Sequence, residues 1–265
     1  MIDLTNKVVI ITGGSRGIGE ACVKLFSQAN ASVAFTYKNA KTHAEKLEKN
    51  YNGSSNIQFP KVKAYRVDME SESGINDMIA KVADDFGRID ILVHNAGIWN
   101  DGPLDKMTLD HWNELMRVNL TSTFLLCKAA APHMKKNNFV PTSRDPSGRR
   151  MILVSSTAGQ RGEAFHSHYA ASKGGMISFT KSLAVELAPF NITVNSVAPG
   201  WVDTEMCYEV FSDAEYKESV RKGIPVGRIA TAEDIAGPIL FLASDLARHI
   251  NGEILNVNGG SVLCG

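Results

Sequence analysis

Tyr169 and Lys173 are the side chains of this sequence best suited to acid–base chemistry. Residues four apart on a helix lie on the same face. An ordinary phenol has a pKa near ~10, and a neighbouring ammonium favours the phenolate and lowers that pKa. Such a phenol can give its proton to a carbonyl oxygen while hydride reaches the carbonyl carbon. The pair therefore indicates proton transfer at a carbonyl or an alcohol.

Ser156 distinguishes this pair from a second tyrosine–lysine match, Tyr37 and Lys41. Ser156 lies thirteen residues before Tyr169, at the predicted end of a strand. A hydroxyl at that place can hydrogen-bond the substrate carbonyl and the charge that grows on its oxygen. The residue thirteen positions before Tyr37 is Lys24, inside a predicted helix, so we interpret the second match as an accident.

A glycine-rich turn, Thr12 to Gly19, lies between the first predicted strand and the first predicted helix. Glycines let the backbone approach a pyrophosphate, which the positive N-terminus of the helix attracts. The turn therefore predicts a dinucleotide site. The predicted contacts are Gly13, Ser15, Arg16, Gly17, Ile18 and Gly19.

The end of the second predicted strand, Phe35 to Asn39, indicates which dinucleotide binds. NAD sites usually place an acid there to hold the ribose 2′-hydroxyl. This stretch has no acid, whereas Lys38 and Arg16 supply two cations for a 2′-phosphate. The sequence therefore predicts NADP(H), with Tyr37 and Lys38 at the adenosine end.

Short β-rich runs alternate with helical patterns along the whole chain. Strands are predicted at 7–12, 32–37, 62–67, 90–93, 150–155, 192–197 and 253–257. Helices are predicted at 17–29, 40–50, 71–86, 108–134, 168–187 and 231–244, and surface loops at 51–56 and 137–148. This alternation predicts an α/β fold with a doubly wound parallel sheet (Rossmann), seven strands with helices on both faces, in a single domain spanning 1–265.

Composition excludes several classes of protein. The 265 residues contain 28 Lys plus Arg and 28 Asp plus Glu, and this balance argues against a nucleic-acid binder. No apolar run approaches the roughly 20 residues of a membrane helix, and residues 1–7 do not resemble a secretory signal. Four scattered cysteines predict a reducing, cytoplasmic location. No metal site is predicted, because His166 and His168 lack an evident third ligand; they are expected to line the substrate mouth or face solvent.

Taken together, these residues resemble the short-chain dehydrogenase/reductase family over essentially the whole chain. Further matching pieces are Asp68, Asn95-Ala96-Gly97, Asn119, Pro199-Gly200 and Thr204. The resemblance implies that Tyr169 donates or accepts the proton, that Lys173 also binds the nicotinamide ribose, and that Ser156 orients the substrate. It also implies that Asn119 supports a water relay to Lys173, although the residue alone suggests a polar side chain bonding its own helix. The implied cofactor contacts are Asp68, Met69, Asn95, Ala96, Gly97, Tyr169, Lys173, Pro199, Gly200, Val202 and Thr204. His94 departs from the family, which usually has Asn there.

Within the family, three segments are most similar to 3-oxoacyl-[acyl-carrier-protein] reductases: Ala198–Met206, Asn191–Asn195 and Val257–Gly260. That similarity implies NADPH-dependent reduction of a 3-oxoacyl thioester, with a mobile lid at about 205–223. The segments expected to border the substrate are Ile98-Trp99 and Gly162-Glu163-Ala164-Phe165, together with Met206, Tyr208, Val210 and Phe211.

The partners are less defined by the sequence. The turn Ala188–Phe190 lacks the basic residue that would match an acidic carrier protein. A cluster of Lys135, Lys136, Arg144, Arg149 and Arg150 could compensate, or could be a solvated face. The resemblance implies a homotetramer formed through the helices at 108–134 and 168–187 and the C-terminal segment. Two alternatives stay open: an NADP-linked dehydrogenase of a sugar or other secondary alcohol, such as glucose, and a non-catalytic NADP-binding sensor.

Overall fold

A computed structural model describes residues 2–52, 62–135 and 148–264. The strands are β1 Val8–Ile11, β2 Ser32–Tyr37, β3 Val62–Arg66, β4 Ile91–His94, β5 Arg149–Val154, β6 Ile192–Pro199 and β7 Ile254–Val257. The helices are α1 Gly17–Gln28, α2 Lys41–Asn52, α3 Glu72–Phe86, α4 Leu109–Leu115, α5 Ser122–Lys135, α6 Thr157–Arg161, α7 Ser167–Leu187, α8 Tyr208–Phe211, α9 Ala214–Lys222 and α10 Ala232–Ala243.

The seven strands form one parallel sheet in the order β3-β2-β1-β4-β5-β6-β7. The strand order reverses at β1, which pairs with β2 on one side and β4 on the other. Ligands of such sheets bind in the crevice outside the carboxyl ends of the strands at this reversal. The turn after β1 and the segment after β4 meet there, because the Thr12 N–H donates to the Val93 carbonyl at 3.0 Å.

Apolar side chains alternate between two cores, one on each face of the sheet. Val9 and Ile11 of β1 pack with α1 and α10, whereas Val8 and Ile10 pack with α3, α5 and α7. All four side chains are buried, as in a sheet covered on both faces. The predicted doubly wound seven-stranded sheet is confirmed. Thr231 is the N-cap of α10, where its side chain and that of Asp234 form a capping box.

The long helix predicted at 108–134 covers nearly the observed extent but is not uniform. A π-helical segment, Met116–Thr121, separates α4 from α5. Such segments are rare and occur often at functional sites. The predicted loop at 51–56 is wrong at its start, because Tyr51 and Asn52 end α2; residues 53–56 and 137–147 lie outside the described residues.

Candidate active site

The glycine turn is shaped for a close approach of two backbone segments. A Cβ atom at Gly19 would lie 2.1 Å from the Gly13 carbonyl oxygen, so only glycine fits there. Helix α1 begins at Gly17, and its N-cap residue Arg16 gives it no side-chain hydrogen bond. An uncapped N-terminus beside a tight glycine turn suits a pyrophosphate, and these residues therefore fit a dinucleotide.

Thr12 and Asn95 fasten this turn to the end of β4. The Thr12 hydroxyl accepts from the N–H groups of Asn95 and Ala96, each at 3.0 Å. The Asn95 Nδ2 donates to the carbonyls of Thr12 at 3.1 Å and Gly13 at 3.3 Å. Asn95, predicted to lie by the adenosine ribose, thus also holds the shape of the turn.

His94 connects the same glycine turn to the start of α5. Its Nδ1 lies 2.9 Å from the Thr12 Oγ1 and its Nε2 lies 3.3 Å from the Ser122 Oγ. Because the Thr12 oxygen already accepts two N–H groups, its own proton is free to go to the His94 Nδ1. Burial, with a smaller effect of Lys173, lowers the pKa of His94 to about 3, so the ring is neutral.

Asn119 lies in the π-helical segment and is fully buried. Its Oδ1 accepts the Ile98 N–H at 2.9 Å, and its Nδ2 donates to the Ile98 carbonyl at 3.0 Å and the Ser172 Oγ at 3.2 Å. The side chain therefore joins the segment after β4 to α7, and the interpretation that it bonds its own helix is wrong. A Cβ at Gly97 would lie 3.1 Å from the Asn119 Oδ1 and 3.5 Å from the Lys173 Nζ.

Ser156, Tyr169 and Lys173 come together from β5 and α7. Ser156 follows β5 as N-cap of α6, and its hydroxyl hydrogen-bonds the Tyr169 phenol. The Lys173 Nζ donates to the Val154 carbonyl at 2.8 Å and lies 5.8 Å from the centre of the Tyr169 ring. The Ser155 hydroxyl donates to the Lys173 carbonyl at 2.9 Å, which connects strand and helix directly.

Burial dominates the titration of both groups in the protein alone. It raises the pKa of Tyr169 to about 12, against the hydrogen bond from Ser156, and it lowers the pKa of Lys173 to about 8. The expectation that the ammonium lowers the phenol pKa is therefore wrong for this state. The reason is geometric, because the ammonium contacts the Val154 carbonyl rather than the phenol oxygen. The phenol is protonated at neutral pH, as a proton donor must be.

A cavity of about 830 Å³, including its open mouth, is lined by these residues. Predicted site residues on its wall are Ile18, Asn95, Gly97, Ser156, Tyr169, Lys173, Pro199, Gly200, Val202 and Thr204. The other predicted cofactor residues end or follow the strands β1 to β4 and are not on this wall: Gly13, Ser15, Arg16, Gly17, Gly19, Tyr37, Lys38, Asp68, Met69 and Ala96. Arg16 is exposed, and Lys38 forms ion pairs with Asp68 and Glu70.

Some residues expected to border the substrate do not line this cavity. Phe165 adopts φ 64° and its side chain is 68% exposed, Tyr208 is 66% exposed, and Val210 is also absent from the wall. Phe211 packs against Trp201 instead. Ile98, Trp99, Glu163 and Met206, which were also expected to border the substrate, do line the cavity.

Six further wall residues were missed from the sequence: Val154, Ser155, Thr157, Arg161, Trp201 and Cys207. Trp201 could have been found, because it directly follows Pro199-Gly200 at the carboxyl end of β6. Glu163 raises the pKa of Tyr169, although less than burial does. Both histidines before Tyr169 are buried, so neither faces solvent: His166 stacks on Trp99, and His168 lies 3.1 Å from the Asn100 Oδ1.

Two members of the basic cluster suggested for a carrier protein are not on a surface. Arg149 and Arg150 are buried strand residues, and the Arg150 guanidinium lies 3.6 Å from the Asp245 carboxylate. The Lys135 ammonium lies 4.2 Å from the centre of the Phe190 ring. Lys136 and Arg144 lie outside the described residues. The two buried arginines are therefore removed from any docking surface.

Comparison with known proteins assigns the chain to a family. The family profile described as "Enoyl-(Acyl carrier protein) reductase" matches residues 13–261. The 3-oxoacyl-[acyl-carrier-protein] reductase of Aquifex aeolicus is 39% identical over 264 residues, which cover 98% of each chain. The chain belongs to the short-chain dehydrogenase/reductase family. It is therefore an oxidoreductase, as the sequence predicted.

Other relatives agree with this assignment. The 3-oxoacyl-[acyl-carrier-protein] reductase of Chlamydia pneumoniae is 40% identical, again over 98% of each chain. A crystal structure of a dehydrogenase/reductase from Sinorhizobium meliloti 1021 superposes with a TM-score of 0.88 at 33% identity, covering 99% of this chain and 97% of that one. No helix among the described residues of this family member is long and apolar enough to cross a membrane. All four cysteines are free.

Proposed function

We propose that this chain is an NADPH-dependent reductase of 3-oxoacyl thioesters. One observation carries the proposal: Ser156, Tyr169 and Lys173 share a single cavity with the residues at the start of α1 and after β6. A cofactor bound along that edge meets a substrate next to a protonated phenol. The curated relatives named above are 3-oxoacyl-[acyl-carrier-protein] reductases, and this name supports the choice of substrate.

The chain's own residues handle the oxygen and the proton. NADPH, when bound, supplies the hydride. The Ser156 hydroxyl donates to the substrate carbonyl and stabilises the charge that develops on its oxygen. Tyr169 gives its phenolic proton to that oxygen, so that a 3-oxoacyl group, a hydride and a proton yield the 3-hydroxyacyl group.

Lys173 and Asn119 restore the phenol after each turnover in this proposal. The Lys173 ammonium lies beside the phenol ring, and the space above Gly97 lies between this ammonium and the Asn119 Oδ1. A water molecule there would connect the phenolate to solvent. Lys173 would also donate to the nicotinamide ribose of the bound cofactor, in addition to its bond to the Val154 carbonyl.

In this proposal the small helices at 205–223 form a lid over the substrate. The protein assembles as a homotetramer and works in the cytoplasm. Exposed apolar side chains support assembly: Phe124 of α5 is 47% exposed, Val185 of α7 77% and Leu263 near the C-terminus 89%. Light scattering of the purified protein measures the subunit number. An acyl carrier protein is the proposed donor of the substrate, on the relatives' names alone.

Initial rates with matched substrates test the reaction. We expect acetoacetyl-CoA to consume NADPH faster than glucose consumes NADP⁺, because each buried sugar hydroxyl left unpaired costs roughly 1–3 kcal/mol. Crotonyl-CoA, which has a C=C bond and no ketone, is the control suggested by the family profile's description. Oxidation of glucose without reduction of acetoacetyl-CoA would assign the site to a sugar, and reduction of crotonyl-CoA alone would assign it to an enoyl thioester.

A further inference from the structure

Aromatic rings form a continuous row along one side of the cavity. The Trp99 and His166 rings are stacked, with their centres 4.7 Å apart and their planes at 12°. The edge of Trp99 meets Trp201 at 6.0 Å and 78°. Trp201 in turn packs against Phe211 at 5.5 Å and against Tyr216 at 6.1 Å. We call these five residues the aromatic row.

One end of the aromatic row is fixed next to α7, the helix that contains Tyr169 and Lys173. His166 directly precedes α7, and its ring is buried. The Nδ1 lies 2.8 Å from the Ala164 carbonyl oxygen, and the Nε2 lies 2.7 Å from the Asp101 Oδ1. The Gly102 N–H donates to the Phe165 carbonyl at 2.7 Å, so the backbone on either side is tied as well. The Trp99 ring therefore has a fixed support.

The other end reaches the small helices after β6. Phe211 ends α8 and Tyr216 lies in α9, so Trp201 contacts both the body and these helices. The Lys217 ammonium lies 2.8 Å from the Asp203 carboxylate and holds α9 beside Trp201. The row thus extends from the segment before Tyr169 to the segment proposed as a lid.

Trp99 and Trp201 are the two members of the row that line the cavity, together with the apolar Ile98 and Met206. Both indoles are only half-buried in the protein alone, so apolar surface remains for a ligand to cover. Structural packing would explain the ring contacts, but it would not require two half-buried indoles on the wall that also contains Tyr169. A hydrocarbon chain gains burial on such a wall.

We propose that the Trp99–Trp201 surface binds the acyl chain of the substrate. This enzyme therefore favours medium-length over four-carbon acyl groups. His166 is the positioning residue that fixes Trp99. This inference rests on the proposed function and names its substrate class. Burial of a methylene strengthens binding by up to about fourfold. If the four additional methylenes of an eight-carbon acyl group contact the surface only in part, its affinity exceeds that of a four-carbon group by about tenfold or more.

Binding of saturated acyl-CoA esters tests the surface without any turnover. Butyryl-, hexanoyl-, octanoyl- and decanoyl-CoA lack the ketone, and calorimetry in the presence of NADP⁺ measures the Kd of each. We expect the Kd to fall with chain length in the wild type and to become nearly independent of length in Trp99→Ala. Trp99→Phe keeps an aromatic face and should restore most of the trend. Trp112→Phe, in α4 away from the cavity, is the matched control.

The role of His166 is tested by kinetics with 3-oxooctanoyl-CoA. His166→Ala removes the stack beneath Trp99 and should raise KM about tenfold with kcat changed less than twofold, whereas general loss of structure would lower kcat. His166→Phe keeps the stack without the contact to Asp101 and should recover the wild-type KM. Equal KM values in His166→Ala and the wild type would overturn the positioning role.

The two hypotheses fail in different ways. If acetoacetyl-CoA and 3-oxooctanoyl-CoA are reduced equally well and the Kd does not depend on chain length, the acyl-chain surface is refuted and the reductase stands. If the Kd falls with length in the wild type but no 3-oxoacyl thioester is reduced, the surface stands and the reductase is refuted. A Trp99→Ala variant that keeps the wild-type length dependence overturns the assignment to this residue.

Discussion

The Lys38 ammonium lies 2.9 Å from the Asp68 carboxylate, so the cation predicted for a 2′-phosphate and the acid predicted for adenine form one ion pair. Glu70 joins them, 3.4 Å from Lys38 and 3.2 Å from Arg117. About half of the Lys38 side chain is exposed, and exposed pairs contribute only about 0–1 kcal/mol. The pair is therefore weak enough for a 2′-phosphate to replace the Asp68 carboxylate as the partner of Lys38.

We expect the enzyme to prefer NADPH over NADH by at least about tenfold in kcat/KM. A charge-assisted hydrogen bond to phosphate contributes about 1.5–3 kcal/mol, more than an exposed ion pair costs to break. Lys38→Asp should lower the ratio by about tenfold or more, because it also adds repulsion. Lys41→Asp is the control, since Lys41 is exposed and pairs with Glu45 of its own helix. Equal use of both cofactors by the wild type would contradict the prediction of NADP(H).

Tyr169→Phe should lose at least about 10²-fold in kcat, the usual contribution of a general acid. The phenol is the group that the Ser156 hydroxyl bonds, and its raised pKa keeps it protonated at neutral pH. The Kd of NADPH, followed by the quenching of tryptophan fluorescence, should stay within about twofold. Tyr208→Phe, at an exposed position, serves as the control. Turnover near the wild-type rate in Tyr169→Phe would refute the proton-transfer role.

The fold could be predicted because the sequence patterns that indicate its strands and helices are local. Strands and helices differ in the period of their apolar residues, and β1 shows buried neighbours on both faces as a covered parallel strand must. The π-helical segment could not be predicted from local periodicity, and neither could the bonds of its Asn119 to Ile98, a residue distant in the chain. The helical periodicity of residues 108–134 alone indicated one continuous helix.

The candidate site residues were predicted from motif spacing, whereas their surroundings depend on how distant segments pack. Arg149 and Arg150 belong to a basic run typical of a solvated face, but their strand is covered on both sides. Phe165 turns outward because its backbone adopts φ 64°, which no nearby residue type indicates. The low pKa of Lys173 comes from burial by segments that are remote in sequence.

Arg88 and Asp90 provide a stability prediction outside the site. The Asp90 side chain is 1% exposed and accepts from the Arg88 Nε and Nη2, both at 2.7 Å, and from the Val8 N–H at 2.9 Å. Arg88→Met leaves a buried carboxylate without its cation and should destabilise the protein by about 3 kcal/mol. Arg117→Met breaks an exposed pair and should cost less than about 1 kcal/mol. Urea unfolding of both variants measures the difference, and equal losses would contradict the argument.

Lys173 should make the stability of the cofactor-free protein rise with pH above 8. Burial lowers its pKa in the folded protein to about 8, whereas the unfolded chain keeps the ordinary value of 10.5. Between these values the unfolded chain binds more protons, so the free energy of unfolding increases with pH. Each pKa unit corresponds to about 1.36 kcal/mol, which gives an increase of about 2 kcal/mol between pH 8 and pH 10.

Lys173→Met isolates this contribution, because methionine has similar bulk and no titration. The free energy of unfolding of the wild type minus that of Lys173→Met should increase by about 2 kcal/mol from pH 8 to pH 10, or about 4–8 °C in Tm. The measurement stops at pH 10, since the raised pKa of Tyr169 acts in the opposite direction above that value: the unfolded phenol ionises first. A difference that stays constant with pH, or falls, would show that the Lys173 ammonium keeps its ordinary pKa in the folded protein. In that case the contact with the Val154 carbonyl would fully compensate the burial of the charge.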